Sequence, residues 1–549
     1  MESDLRLELD RAIKHVVQSQ SPRRLVVAGP GTGKTHLFRS VLEATSLTDR
    51  NALILTFINN LKDELAEKLS DLARVFTFHG YCHRLLRREA SLRAGLSHEF
   101  LYFPKLASIV KQDWEVANGS RSPQFVGLMR NLEAGDAIQF YLKRSNYYDA
   151  VSFDDSVFRV YQRLSDGAAE LDRLALVAVD EYQDFNALEA AFIDLLASRS
   201  PILIVGDDDQ ALYSQLRGST HEFIRRLHRS GDYECFELPF CLRCPKPVVE
   251  AINDVVARAK ARGNLRGRID KPYQYFAPFK AKDSQLYPRL VVLSSTVQSN
   301  DPKVNYWGRY IAAAIRAIPD AEIHEAIEGG FPTVLIIGSP QYLKQVAAHL
   351  SGAGFRVESK EEVGPERLER ADGLAILREH PQSNLGWRVL LEVDRPDFAA
   401  EAIRWGLAEG QSLAGLLPAE YRERTLAEVS APPIATGVPV LDASPPAAVT
   451  PEPTIRLTSF EGSKGLSAQH VFVVGLHDGE LPKDASNVGD LEICRFIVAL
   501  TRTRKQCYLM TTSRFSGKPK SPSAFLNWIQ PSRKQVVHVS REYWAMRAE

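Results

Sequence analysis

Residues 28 to 35 read Ala28-Gly29-Pro30-Gly31-Thr32-Gly33-Lys34-Thr35, directly after the apolar run Leu25–Val27. A short apolar run bounded by glycine is a buried strand, and the glycine-rich segment after it is a P-loop. In such a loop the backbone N–H groups cradle phosphates, Lys34 reaches the β and γ phosphates, and the Thr35 hydroxyl holds Mg²⁺. Gly31 and Gly33 suit a turn that brings backbone against phosphate, because a side chain there would block the approach. The first position is Ala28 where the motif usually has glycine. The strand–loop–helix unit points to an α/β protein built on a parallel sheet.

A second apolar run, Leu174–Val179, ends in Asp180-Glu181-Tyr182-Gln183-Asp184. As a second parallel strand it delivers both carboxylates to the carboxyl edge of the sheet, where ligands bind in open α/β folds. Asp180 suits Mg²⁺, and Glu181 suits the base that orients and deprotonates an attacking water.

From these residues onward the chain resembles the UvrD/Rep/PcrA group of superfamily 1 DNA helicases, with the family's segments in the family's order. Thr56-Phe57-Ile58-Asn59-Asn60 and Thr77-Phe78-His79-Gly80 look like its first two DNA-contact motifs, and Asp180–Asp184 like its Walker B motif. Val205-Gly206-Asp207-Asp208-Asp209-Gln210-Ala211-Leu212-Tyr213 resembles the third motif, Thr458–Leu466 the fifth and Ala499-Leu500-Thr501-Arg502 the sixth. Cys241-Leu242-Arg243-Cys244 falls at the fourth. The resemblance implies two RecA-like P-loop NTPase cores with parallel sheets, each interrupted by an inserted, largely helical subdomain. The first core takes residues 1–85 and 170–232 around an insertion at 86–169. The second takes 233–360 and 453–535 around a short insertion, 361–452, that ends in the Pro-rich tract Ala431–Thr454, and 536–549 form a tail.

The resemblance also implies roles. ATP and Mg²⁺ are the cofactors. Lys34, Glu181, Gln210 as γ-phosphate sensor, and the arginine fingers Arg243 and Arg502 are catalytic. Ala28 to Thr35 and Gly465 bind the nucleotide, and Thr35 and Asp180 hold the metal. Phe57, Asn59, Phe78, His79, Tyr213 and Arg217 contact DNA. The implied activity is an ATP-dependent motor on single-stranded or partly duplex DNA, a 3′–5′ helicase or translocase. The rival is an NTP-dependent regulatory or defence-complex subunit, such as the helicase-like member of a Gabija-type pair, that holds a protein partner such as a nuclease.

Several positions depart from the family pattern. The third motif has one extra residue, Leu216 stands where a large aromatic is usual, Glu461 replaces a histidine and Ser467 a glutamate. Adenine in the family is held by a glutamine and a stacking tyrosine; those positions fall here at about Ile13 and at Leu242, so sharp adenine selectivity is not expected.

Composition agrees with a multidomain motor. The chain has 549 residues, 44% of them hydrophobic, enough to fill several cores. Lys and Arg number 68 and so do Asp and Glu, so a nucleic-acid track must be a local groove and not a global field. No basic leader or membrane-length apolar run is present in the sequence, and six cysteines do not make a secreted disulfide framework, so a soluble cytoplasmic protein is expected. The C-x-x-C spacing of Cys241 and Cys244 invites zinc, but a structural zinc site needs four ligands and no second pair lies nearby.

Overall fold

The computed structural model describes residues 2–45, 51–57, 59–213, 218–359, 368–394, 396–430 and 452–547. Two parallel sheets organise the chain. The first contains β1 (Arg23–Ala28), β2 (Ala52–Thr56), β3 (Arg74–Thr77), β4 (Leu176–Val179), β5 (Ile202–Gly206) and β6 (Glu234–Leu238), in the spatial order β3-β2-β4-β5-β1-β6. The second contains β7 (Leu290–Ser295), β8 (Val334–Ile337), β9 (Val357–Ser359), β10 (Ile455–Thr458), β11 (Ala468–Val474), β12 (Thr503–Thr512) and β13 (Lys534–Val539), in the order β9-β10-β8-β11-β12-β7-β13. The inner strands are continuous apolar runs because parallel sheets are covered on both faces. In β1, Leu25 and Val27 pack into one helical layer while Val26 and Ala28 pack into the other. In β8, Leu335 and Ile337 face one layer and Val334 and Ile336 the opposite one. These are two RecA-like P-loop cores.

Two of the expected boundaries are corrected. Glu234–Leu238 pairs in parallel with Arg24–Ala28, so the first sheet extends past residue 232 and gains its edge strand there. Its pattern, Glu-Cys-Phe-Glu-Leu, is that of a half-exposed edge, which an apolar-run criterion passes over. Lys534–Val539 pairs with Leu290–Ser295, so the expected tail begins inside a sheet edge strand, which the short helix Arg541–Ala545 follows. The tract 431–451 lies outside the described residues.

The segment between β3 and β4 is mainly helical, with helices Phe78–Arg88, Leu106–Asn118, Phe125–Arg130, Asp136–Tyr148 and Phe153–Ser165. Between β9 and β10 lie helices Arg370–Glu379, Asn384–Asp394, Pro396–Glu409, Leu413–Leu416 and Ala419–Ser430. The two insertions share one apolar core, in which Ile109 and Tyr141 of the first cluster with Trp387 and Leu390 of the second. At its centre Asp113 is fully buried and accepts from Arg144 Nε at 2.7 Å, Arg388 Nε at 3.0 Å and the Tyr148 hydroxyl at 2.6 Å. Arg144 and Tyr148 are thus structural, and Arg130 is likewise taken up by Asp154 at 2.7 Å. No helix among the described residues is long and apolar enough to cross a membrane.

A buried carboxylate that neutralises two guanidiniums is costly to delete, because both cations are left without compensation. Asp113→Ala is expected to destabilise the chain by about 3–5 kcal/mol, read as a lower urea midpoint together with faster proteolysis within both insertions. An unchanged midpoint would show that the insertions do not depend on this knot.

Candidate functional site

The P-loop leaves β1 at Ala28 and enters the helix Lys34–Ala44 through Gly33, which has φ +90°. Gly31 also lies in the left-handed region, at φ +73°. A Cβ there would stand 2.6 Å from Arg243 Cβ, so glycine is required by the second half of the chain as well as by a phosphate. The helix N-terminus directs its unpaired N–H groups into the cleft, as an anion site requires.

The cleft, about 270 Å³, lies between the two sheets. Pro30 to Thr35, Asp180, Glu181 and Gln210 line it from one side, and Leu242, Arg243, Lys464, Gly465, Arg502 and Arg504 from the other. The site therefore brings together Lys34, Thr35, Asp180, Glu181, Gln210, Arg243, Gly465 and Arg502, which are distant in sequence. Ala28 and Gly29 do not line it: Ala28 is buried at the strand end, and Gly29 faces the Tyr273 ring.

Glu181 is the centre of the charge arrangement. Lys34 Nζ lies 2.6 Å from Oε1, Lys464 Nζ 3.4 Å from Oε2, and Gln183 Nε2 donates to Oε2 at 2.6 Å. Burial opposes ionisation of this carboxyl, but the Lys34 and Lys464 ammoniums outweigh it and hold its pKa well below the usual carboxylate range. Glu181 lies in the left-handed region at φ +54°, uncommon for a residue with a side chain. Asp180 behaves oppositely: burial lifts its pKa to about 7, with Lys34 opposing and the neighbouring Glu181 adding to the rise. A desolvated carboxyl beside the Thr35 hydroxyl is a hard-oxygen donor pair, and these residues fit Mg²⁺.

Gln183 also accepts from the backbone N–H of Asp207 at 2.9 Å, and Gln210 Nε2 donates to Asp207 Oδ2 at 2.8 Å. Arg502 Nη2 donates in turn to Gln210 Oε1 at 3.4 Å. Burial, with Arg243 adjacent, lowers the Arg502 pKa to about 10. Arg243 Nη1 donates to the Thr501 carbonyl at 3.3 Å.

Sequence reasoning misses three groups. Lys464 stands inside the fifth motif without an expected role, yet its buried ammonium also touches Asp184 and the Gln210 carbonyl. Lys271 meets Asp207, Asp208 and Asp209 at 2.8, 2.8 and 2.9 Å, so a lysine already fills that acidic cluster. Tyr273 donates to the Pro30 carbonyl at 3.0 Å and braces the P-loop from outside the cleft. The last two belong to no recognisable motif; only the fold brings them in.

The residues expected on DNA divide. Phe57 is itself buried, packed against Phe185 and, at 5.3 Å, against the half-buried Tyr213 ring, whose hydroxyl donates to the Glu461 carbonyl at 3.2 Å where the two halves meet. His79, in the helix Phe78–Arg88, is largely buried, 5.4 Å from the Phe153 ring and 3.8 Å from the buried Glu189 carboxylate. Phe78 is corrected: at 1% exposure it packs between Phe185 and Phe192 and has no free face for a base. Arg217 and the side chain of Asn59 lie outside the described residues. Ile13 is a core residue under the first sheet and is not part of the cleft lining.

Comparison with known proteins agrees with this picture. A family model described as "AAA domain" matches residues 11–215, which run from the first helix through the third motif. The chain is 26% identical over 283 residues to the ATP-dependent DNA helicase PcrA of Staphylococcus aureus strain Mu50, an alignment covering 43% of this chain and 38% of that protein. The PcrA proteins of S. aureus strain COL and Staphylococcus epidermidis strain ATCC 12228 align to the same extent, at 26% identity over 283 residues. Only 38% of the length of these relatives is spanned by the match. In its motifs, its paired RecA-like cores and its aligned sequence, the chain resembles the UvrD/Rep/PcrA-type superfamily 1 DNA helicases.

Proposed function

We propose that this chain is an ATP- and Mg²⁺-dependent motor on single-stranded DNA, moving 3′ to 5′. The observation that carries the reading is the Glu181 carboxylate at the junction of the halves, with Lys34 on one side and Lys464 on the other, at the start of a hydrogen-bonded chain that ends on Arg502. In this reading Lys34 and the P-loop N–H groups hold the triphosphate, and Glu181 takes a proton from the attacking water. Arg243 and Arg502 stabilise charge on the transferring phosphoryl group. Mg²⁺ bound by Thr35 and Asp180 supplies neutralisation of phosphate charge. Gln210 contacts both the phosphate end of the cleft and Asp207, so hydrolysis is transmitted to the Tyr213–Phe57 pair three residues further on. There an unpaired base stacks without sequence preference.

A second reading, a nucleotide-gated regulatory subunit with a protein partner, is favoured by one observation. Glu461 puts a carboxylate on the strand-facing side where the family has histidine, held by Arg495 Nε at 2.7 Å. Hydrolysis with and without single-stranded DNA separates the two: stimulation by DNA supports the motor, and indifference to DNA supports the subunit.

Lys34→Ala is expected to abolish productive nucleotide binding, whereas Glu181→Gln keeps binding and loses turnover, since only the base is removed. Equilibrium binding and steady-state hydrolysis measure both, and near-normal turnover in Glu181→Gln would sink the assignment. Loss of Arg243 or Arg502 is expected to lower kcat by about three orders of magnitude with nucleotide affinity much less changed. Parallel loss of affinity and turnover would argue against transition-state arginines.

Base selectivity is set by the residues that line the cleft. Leu242 offers apolar contact without a π face, and the lining contains no aromatic ring. Apolar contact discriminates by on the order of 10- to 100-fold, against about 10⁴ for a hydrogen-bonding base site. The expected preference for ATP over GTP and CTP is therefore below about a thousandfold in kcat/KM under saturating single-stranded DNA. A larger preference would show that adenine is read by other groups.

A further inference from the structure

The C-x-x-C pair brackets the two residues that meet the nucleotide loop. Cys241 ends the short strand Phe240–Cys241, which pairs in parallel with Gln274–Tyr275, and Cys244 precedes the helix Lys246–Ala261. Between them, Leu242 N–H donates to the Gly31 carbonyl at 2.8 Å. A Cβ on Gly31 would stand 3.2 Å from Cys241 Sγ, so this sulfur lies directly behind the P-loop. The turn folds the sulfurs together: the backbone N–H of Cys244 donates to Cys241 Sγ at 3.3 Å, and Cys244 Sγ donates to the Thr501 carbonyl at 3.6 Å. That same carbonyl accepts from Arg243 Nη1, next to Arg502.

We propose that Cys241 and Cys244 are an oxidisable dithiol, a modification site whose disulfide displaces Arg243 within the nucleotide cleft. The other side chains around Cys241 suit it as the attacking sulfur. Burial opposes its ionisation, but the polar groups gathered on its sulfur, the backbone N–H of Cys244 at 3.3 Å among them, outweigh this and pull its pKa below the ordinary thiol value. Burial and the facing sulfur push Cys244 the other way, so it is the resolving thiol.

The oxidant is a hydroperoxide. The Cys241 thiolate attacks the terminal oxygen, the O–O bond breaks, and the leaving oxygen takes a proton, giving Cys241 sulfenic acid. Cys244 then loses its proton and attacks that sulfur; the S–O bond breaks and water leaves. Two thiols and one hydrogen peroxide become one disulfide and two waters. An S–S bond of about 2.05 Å requires Cys244 Sγ to leave the Thr501 carbonyl and the turn carrying Leu242 and Arg243 to tighten. Both thiols are buried, so the reagent reaches them when the two halves separate, and a nucleotide that holds them together slows the reaction.

The effect on turnover rests on the function proposed above; the thiol chemistry does not. The test uses the full chain with Cys235→Ser, which removes the exposed cysteine, treated with hydrogen peroxide with or without a non-hydrolysable ATP analogue. Peptide mass mapping is expected to find a 241–244 bridge that forms more slowly with the analogue. It is expected to be accompanied by a kcat loss of about 10- to 100-fold that dithiothreitol reverses and that Cys244→Ser does not show. Absence of the bridge, or a bridge that leaves kcat unchanged, overturns the proposal. Because the bridge is read by mass, a reduced chain that hydrolyses nothing while still forming it in an analogue-dependent way overturns the motor reading and leaves the modification site supported.

Discussion

The arrangement depends on one buried carboxylate held between two ammoniums that come from different halves of the chain. Glu181 sits at the end of β4, Lys34 opens the P-loop helix beside it, and Lys464 arrives from the second sheet. A lone buried carboxylate would give up its charge; two cations within 3.4 Å keep it ionised. At an effective dielectric of about 20, each such contact is worth roughly 4 kcal/mol before desolvation is subtracted. That electrostatic demand draws the second half against the first at the cleft. It also ties Glu181 to the loop that carries Gln210, because Gln183 bonds Glu181 through its amide nitrogen and the Asp207 N–H through its oxygen.

Asp207 extends the same logic outward. Three consecutive buried aspartates would repel one another, and Lys271, Arg268 and Arg225 neutralise them. Lys271 and Arg268 belong to the segment that also carries Tyr273 onto Pro30. The loop bearing Gln210 is therefore positioned by ion pairs on one side and by Arg502 on the other, and its side-chain amide has little freedom to miss the phosphate end of the cleft.

Much of this was legible in the sequence, and the reasons differ by element. The P-loop and the Asp180-Glu181 pair could be read because both come directly after continuous apolar runs and their chemistry is local. The edge strands β6 and β13 could not, since half-exposed alternation in five or six residues carries a weak signal against a motif-based boundary. Phe78 escapes a motif reading because a motif fixes order in sequence and not which way a ring points; its helix turns it into the core. Lys271 and Tyr273 act across more than sixty residues of intervening chain, and the knot at Asp113 joins segments further apart still. No periodicity or spacing announces a long-range ion pair.

The insertions add a mechanical constraint to the chemistry. The first emerges from one core, the second from the other, and Asp113, with the contacts Lys105–Asp372 and Tyr147–Gln411, binds them together. The two cores are thus joined at the nucleotide cleft and again at the insertions, a closed loop of contacts. The insertion contact is buried and charge-paired, so it resists shear more than the open cleft does. A further contact joins the halves: the Tyr213 hydroxyl of the P-loop core donates to the Glu461 carbonyl of the other at 3.2 Å, and the Glu461 carboxylate is held by Arg495 at 2.7 Å.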